Sequence, residues 1–169
     1  MMRRFITVTA VFSALALWLT LSAGPRDSAA ADGIRWLSLD SAKAAARQSK
    51  KPVFISFYTT WCGFCKKLER DTFKDPAVVK ALNEYFLPVK LDGDEEEALA
   101  QAYGVRGYPT LVFTDATGKT LLSSPGYRPP GSFMDVLKYV HSGFYKKMSF
   151  DKFVGDGYPG RYNFSAGAR

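Results

Sequence analysis

One histidine and two cysteines are the whole supply of imidazole and thiolate metal ligands in this 169-residue chain. A structural zinc site takes four such ligands, and here there is a single C-x-x-C and a lone His141, so one chain offers too few for a zinc site. The acidic run Asp92–Glu97 has the charge for calcium but not the pattern, because the central Gly and the closing bidentate Glu of an EF-hand loop are missing. It is better read as acidic residues placed at a helix start. There is no basic stripe and no arginine-rich run. The 23 Lys and Arg are scattered among 16 Asp and Glu, so the net charge of +7 bears on solubility and weak attraction to anionic surfaces, not on nucleic-acid recognition. No repeat, no low-complexity tract and no cofactor-binding motif is found, and no cofactor or metal is expected.

What is present suffices for one folded domain, with 47% of residues hydrophobic and 15% aromatic. The first residues differ in kind. Arg3 and Arg4 precede an apolar stretch, Phe5–Leu21, and small residues then lead to Ala29-Ala30-Ala31. This is the layout of a secretory signal cleaved after Ala31. The alternative is an uncleaved membrane anchor, since the stretch sits at the lower limit of the ~17–25 residues that span a bilayer. The expected organisation is a signal peptide over 1–31, a folded domain over 32–141 and a C-terminal extension over 142–169. The protein is then periplasmic or secreted.

The periodicity predicts a short strand over Ile34–Leu39 and a helix capped by Asp40 or Ser41 that runs to about Ser49. Val53–Tyr58 is a nearly continuous apolar run, as in a strand buried on both faces. A helix is expected from Cys62 to about Thr72, with Phe64, Leu68 and Thr72 along one side. Another starts at Asp75-Pro76 with proline in its first turn. Strand Phe86–Leu91, helix Ala98–Tyr103, hairpin strands Thr110–Thr114 and Lys119–Ser123 and helix Phe133–Val140 complete the pattern. The fold class is α/β, a mixed sheet covered by helices on both sides. Beyond it, Phe150, Phe153 and Val154 have the spacing to dock a short helix, whereas Gly155–Arg169 shows no periodicity.

The two cysteines lie three positions apart, and a bridge so short restrains almost nothing, which argues for redox chemistry over stapling. Trp61-Cys62-Gly63-Phe64-Cys65-Lys66 sits where a buried strand gives way to a helix. At a helix N-terminus the unpaired N–H groups and the dipole favour a Cys62 thiolate, the nucleophilic form. Cys65, one turn deeper, is expected to be the shielded resolving thiol.

These residues resemble the thioredoxin superfamily over about Ser49 to Val140. Trp61 to Lys66 matches its W-C-G-x-C-K active site, and Tyr103-Gly104-Val105-Arg106-Gly107-Tyr108-Pro109-Thr110 matches its Y-G-[IV]-R-G-x-P-T element. The resemblance implies a thioredoxin fold with a central mixed sheet. It implies Cys62 and Cys65 as catalytic residues and a cis Pro109 beside them. It also implies a substrate groove of Trp61, Gly63, Phe64, Tyr108, Pro109 and Gly126, in which the Tyr108 backbone pairs with a substrate peptide. The stretch from Lys51-Pro52 through Thr72-Phe73 to Asp75-Pro76 is similar to the C-terminal periplasmic domain of the transmembrane disulfide reductase family. One departure stands out. Where the superfamily commonly carries a buried Asp six residues before the first cysteine, this chain has Ser56, which leaves Lys90 on the neighbouring strand without its customary partner. His141 is expected to be a positive charge near a helix end, with no catalytic part.

The leading expectation is an enzyme that reduces disulfides of exported proteins and draws electrons from a membrane-embedded donor. A disulfide oxidase or isomerase would use the same two cysteines. A redox-inactive binding module on the same fold would use neither.

Overall fold

The computed structural model describes residues 33–166, so the signal predicted over 1–31 lies outside the described residues. Helix α1 (Leu39–Ser49) opens the domain. Its N-cap is Ser38, whose Oγ accepts from the Ser41 N–H at 3.2 Å, so Asp40 and Ser41 fall inside the helix. The strand expected over Ile34–Leu39 reduces to one parallel bridge from Leu37 to Val89, because Ser38 must already turn to cap.

Strands β1 (Val53–Tyr58), β2 (Leu87–Asp92), β3 (Thr110–Thr114) and β4 (Thr120–Pro125) form one sheet in the order β2-β1-β3-β4. β1 runs parallel to β2 and antiparallel to β3, and β4 closes the edge antiparallel to β3, so the sheet is mixed as expected. Helices α2 (Gly63–Lys67), α3 (Pro76–Tyr85), α4 (Glu97–Ala102) and α5 (Pro130–His141) cover it. β1 has the two-sided burial its composition demands. Val53, Ile55 and Phe57 meet Ala42 and Ala46 of α1 and Ala100 of α4. Phe54, on the other face, packs with Leu68, Leu82, Phe133 and Leu137.

The helix predicted over 62–72 is broken in character. After α2 the chain widens into a π-helical turn, Leu68–Thr72, closed by the Phe73 N–H on the Leu68 carbonyl at 3.0 Å. Leu68 and Thr72 are buried, but Phe64, in the first turn of α2, is 64% exposed. α5 begins at Pro130, three residues earlier than predicted, since proline fits the first helical turn.

The C-terminal extension is part of the fold. It adds α6 (Phe150–Gly155), α7 (Tyr158–Arg161) and two short 3-10 turns. Phe153 is fully buried among Tyr139, Phe144 and Tyr158, and Phe150 packs partly buried, while Val154 stays 40% exposed. Residues 155–166, with no periodicity to announce them, are held by Tyr158 and Phe164 against the same apolar layer.

Candidate active site

β1 ends at Tyr58, whose carbonyl accepts from the Gly93 N–H at 2.7 Å. The chain then turns, with the Cys62 N–H on the Thr59 carbonyl at 3.3 Å, and Cys62 becomes the N-cap of α2. Its sulfur takes the role a serine oxygen has at other helix starts. Cys62 Sγ accepts from the Cys65 N–H at 3.1 Å. Cys62 and Cys65 are joined in a disulfide with their Cα atoms 5.3 Å apart. In this oxidised form the contrast expected between an accessible Cys62 and a shielded Cys65 is absent, since their exposures are 6% and 4%. Position separates them instead. One sulfur sits on the helix N-terminus and receives an N–H, whereas the other belongs to the first turn.

Around the disulfide stands a rim of exposed aromatics. Trp61 is 68% exposed, yet its indole is fixed: Nε1–H donates to Asp94 Oδ2 at 2.8 Å, and the ring meets Tyr108 edge-on at 6.1 Å. The Tyr108–Pro109 peptide is cis. No hydrogen bond among the described residues uses the Tyr108 backbone N–H or carbonyl. Gly126, with φ of 88°, donates its N–H to the Pro109 carbonyl at 2.8 Å and so lies against the cis-proline loop. A side chain on Gly63 would meet open space, so this glycine leaves the approach to the disulfide clear. The structure thus brings Trp61, Cys62, Gly63, Phe64, Tyr108, Pro109 and Gly126 to one end of the sheet.

Three contributors were not singled out from sequence. Asp94 belongs to the acidic run read as a helix start, but its carboxylate anchors Trp61, 33 positions away. Gly93 leaves the space that Tyr108 fills, for a Cβ there would collide with the tyrosine ring and hydroxyl. Burial first, then Asp94, Asp92 and Glu97, push the Tyr108 hydroxyl above its ordinary range, so this loop sets a negative field at the rim. Glu69 is the third, and answers the question of Lys90. Lys90 Nζ reaches Glu69 Oε1 on the π-helical turn. No local pattern signals any of these, because each partner lies on a different element.

His141 departs from its expected role. It ends α5 but is half-buried beside Tyr85, Phe86, Tyr162 and Phe164, with Nδ1 2.7 Å from the Tyr162 hydroxyl. Burial and the Lys51 charge push its imidazole below the usual range, toward the neutral form.

A disulfide at the N-terminus of a sheet-supported helix, beside a cis-proline loop, defines a thiol–disulfide oxidoreductase of thioredoxin fold. The chain belongs to the thioredoxin-like domain family, whose description matches residues 39–141. It is 35% identical over 102 residues to a thiol:disulfide interchange protein DsbD of Vibrio vulnificus, a match covering 57% of this chain and 17% of that protein. The chain thus spans less than a fifth of this curated relative. Among solved structures it is similar to a Thermus thermophilus thioredoxin, with a TM-score of 0.57 and 27% identity over 64% of this chain and 87% of that one. It is also similar to the reduced C-terminal domain of Neisseria meningitidis DsbD, with a TM-score of 0.50 and 25% identity over 58% and 89%. Among the described residues no helix is long and apolar enough to cross a membrane.

Proposed function

We propose that this protein reduces disulfides of exported proteins, with Cys62 as the attacking thiol and Cys65 as the resolving one. The observation that carries the assignment is the Cys65 N–H held on Cys62 Sγ at the helix N-terminus, which stabilises a thiolate at position 62. That thiolate attacks one sulfur of the partner's disulfide. The partner S–S bond breaks, a Cys62–partner bond forms, and the other partner sulfur leaves as a thiolate. Cys65, deprotonated, then attacks the Cys62 sulfur, forms the Cys62–Cys65 bond and expels the second partner sulfur. Two electrons pass to the partner, whose thiolates take up protons.

The rim supports a peptide as substrate. The unused Tyr108 backbone offers one strand-type pairing, and Trp61, Phe64, Pro109 and Gly126 supply apolar contact on either side. Similarity to DsbD proteins and the uncharged Gly63-Phe64 pair support the reducing direction, with electrons returned to Cys62–Cys65 by a membrane-embedded donor. In the same reading residues 1–31 are a cleaved leader and the protein works outside the cytoplasm. The expected product in a native-type host is a mature chain beginning near Asp32. An intact mass including Met1 in the membrane fraction would establish an anchor instead.

Trapping tests the thiol roles. Cys65→Ser expressed with its leader is expected to accumulate mixed disulfides through Cys62, which run as higher bands and collapse on reduction. Cys62→Ser and the double variant should form none. Adducts through Cys65 in Cys62→Ser, with none in Cys65→Ser, would reverse the assignment.

A further inference from the structure

A groove of about 460 Å³ runs beside the active-site helix, on a face that the substrate rim does not use. One wall is the segment Gly33–Trp36 and the other is the row Lys66, Arg70 and Lys74, with Phe73 between them. Lys66 comes from α2, Arg70 from the π-helical turn and Lys74 from the turn that follows it, and all three line the groove. All three are exposed. Glu69 is the one acid in the lining, and Lys90 occupies its carboxylate at 2.7 Å. Arg70 pairs with Asp71 through Nε at 2.8 Å and Nη2 at 3.4 Å and remains 65% exposed, whereas among the described residues neither Lys66 nor Lys74 has an ion pair. The groove therefore carries two positive charges without an ion pair, Lys66 and Lys74, above an aromatic floor, where Trp36 meets buried Phe73 edge-on at 5.4 Å.

The Gly33–Trp36 wall is fixed in advance. The Arg35 N–H donates to Asn83 Oδ1 at 2.8 Å, Asn83 Nδ2 donates to the Gly33 carbonyl at 3.0 Å, and the Leu37 N–H donates to the Pro88 carbonyl at 2.8 Å. A preformed groove costs less ordering on binding than a mobile one. The lining residue Lys66 directly follows Cys65 in the chain.

We propose that this groove docks an acidic segment, with one apolar side chain over Trp36, of the polypeptide that exchanges disulfides at Cys62–Cys65. The inference rests on the exchange reaction proposed above and adds the chemistry of the partner. The cations select carboxylates flanking the reacting cysteine, and the aromatic floor selects the apolar residue between them. Such a surface acts through encounter and orientation, so its effect is greatest at low ionic strength.

The test uses the full chain and two synthetic peptides with the same internal disulfide, one extended by Asp-Glu-Leu-Glu and the other by Lys-Lys-Leu-Lys. The acidic peptide is expected to be reduced at least tenfold faster by the wild type in low salt, with the advantage falling below about twofold in 0.5 M NaCl. The double variant Arg70→Glu with Lys74→Glu should reverse the preference. Equal rates for the two peptides, or a preference that survives charge reversal, would overturn the proposal. So would an unchanged peptide preference in a double variant that has lost retention on phosphatidylglycerol vesicles, which would make this face a membrane surface. A small aromatic disulfide is the control: its failure to react would remove the exchange reading itself, whereas its reaction without a peptide preference would remove only the docking groove.

Discussion

Lys90 Nζ lies 2.7 Å from Glu69 Oε1 and 4.4 Å from the centre of the Tyr58 ring, so the lysine opposite Ser56 on the sheet finds its counter-charge on the active-site helix. The acid missing from position 56 has no replacement on β1. The compensating carboxylate comes from a different element, four residues after Cys65. Both side chains keep solvent contact, so the pair is worth little, about 0.5 kcal/mol, with a comparable amount from the tyrosine face. A double-mutant cycle on Lys90→Met and Glu69→Gln, read by urea denaturation, should give a coupling of about that size. A coupling near zero would show that the two charges are held apart by water.

Trp61 and Asp94 make the second coupling. With its indole bond lost, Trp61 keeps its exposure but not its orientation. Asp94→Ala should lower the rate of protein-disulfide reduction about fivefold, the equivalent of one hydrogen bond of ~1 kcal/mol. Reaction with a small aromatic disulfide, which does not need the rim, should change less than twofold. Stopped-flow rates with the two substrates separate these outcomes.

The extension contributes to stability through Phe153. Its side chain is fully buried, so Phe153→Ala is expected to cost about 3–5 kcal/mol, whereas Val154→Ala, on the exposed side of the same helix, should cost under ~0.5 kcal/mol. Denaturation midpoints at unchanged m-value provide the comparison. Similar losses at both positions would mean that α6 is not packed as described.

His141 makes stability depend on pH. The titratable groups facing it are Lys51, Tyr85 and Tyr162. Its folded-state value is depressed, so on acidification the unfolded chain takes up the proton first. The stabilisation is fully present above about pH 6.5 and is lost as pH falls from there through the folded-state value. His141→Gln should flatten this part of the stability–pH curve. A slope that persists in the variant would assign it to other groups.

Much of this site was legible because its signals are local. The apolar run of β1, the proline opening α3 and the C-x-x-C at a strand-to-helix junction each carry their meaning within a few residues. Gly126 and Pro109 were placed by resemblance, and the structure joins them by one hydrogen bond. What could not be read depends on distance in sequence. The Trp61–Asp94 and Lys90–Glu69 contacts span separations that no periodicity reports. Beyond Gly155 the sequence leaves open whether the extension covers a surface or stays loose, because Tyr158 and Phe164 are held singly, by packing against α5 and its neighbours, and not along a repeating face. Helical spacing puts Phe64 along one side with Leu68 and Thr72, and spacing alone does not report that Phe64 is exposed while the other two are buried.

The central claim is that Cys62–Cys65 is a reducing couple, and its equilibrium potential tests that most directly. Gly63 and Phe64 place no positive charge between the cysteines, so the Cys62 thiolate lacks the extra stabilisation that makes a couple strongly oxidising. Purified mature protein, equilibrated with defined glutathione mixtures and assayed for free thiols, should give a potential nearer about −270 mV than about −120 mV, two values that differ by roughly 7 kcal/mol. A potential above about −160 mV would contradict the account and make the protein an oxidant or isomerase.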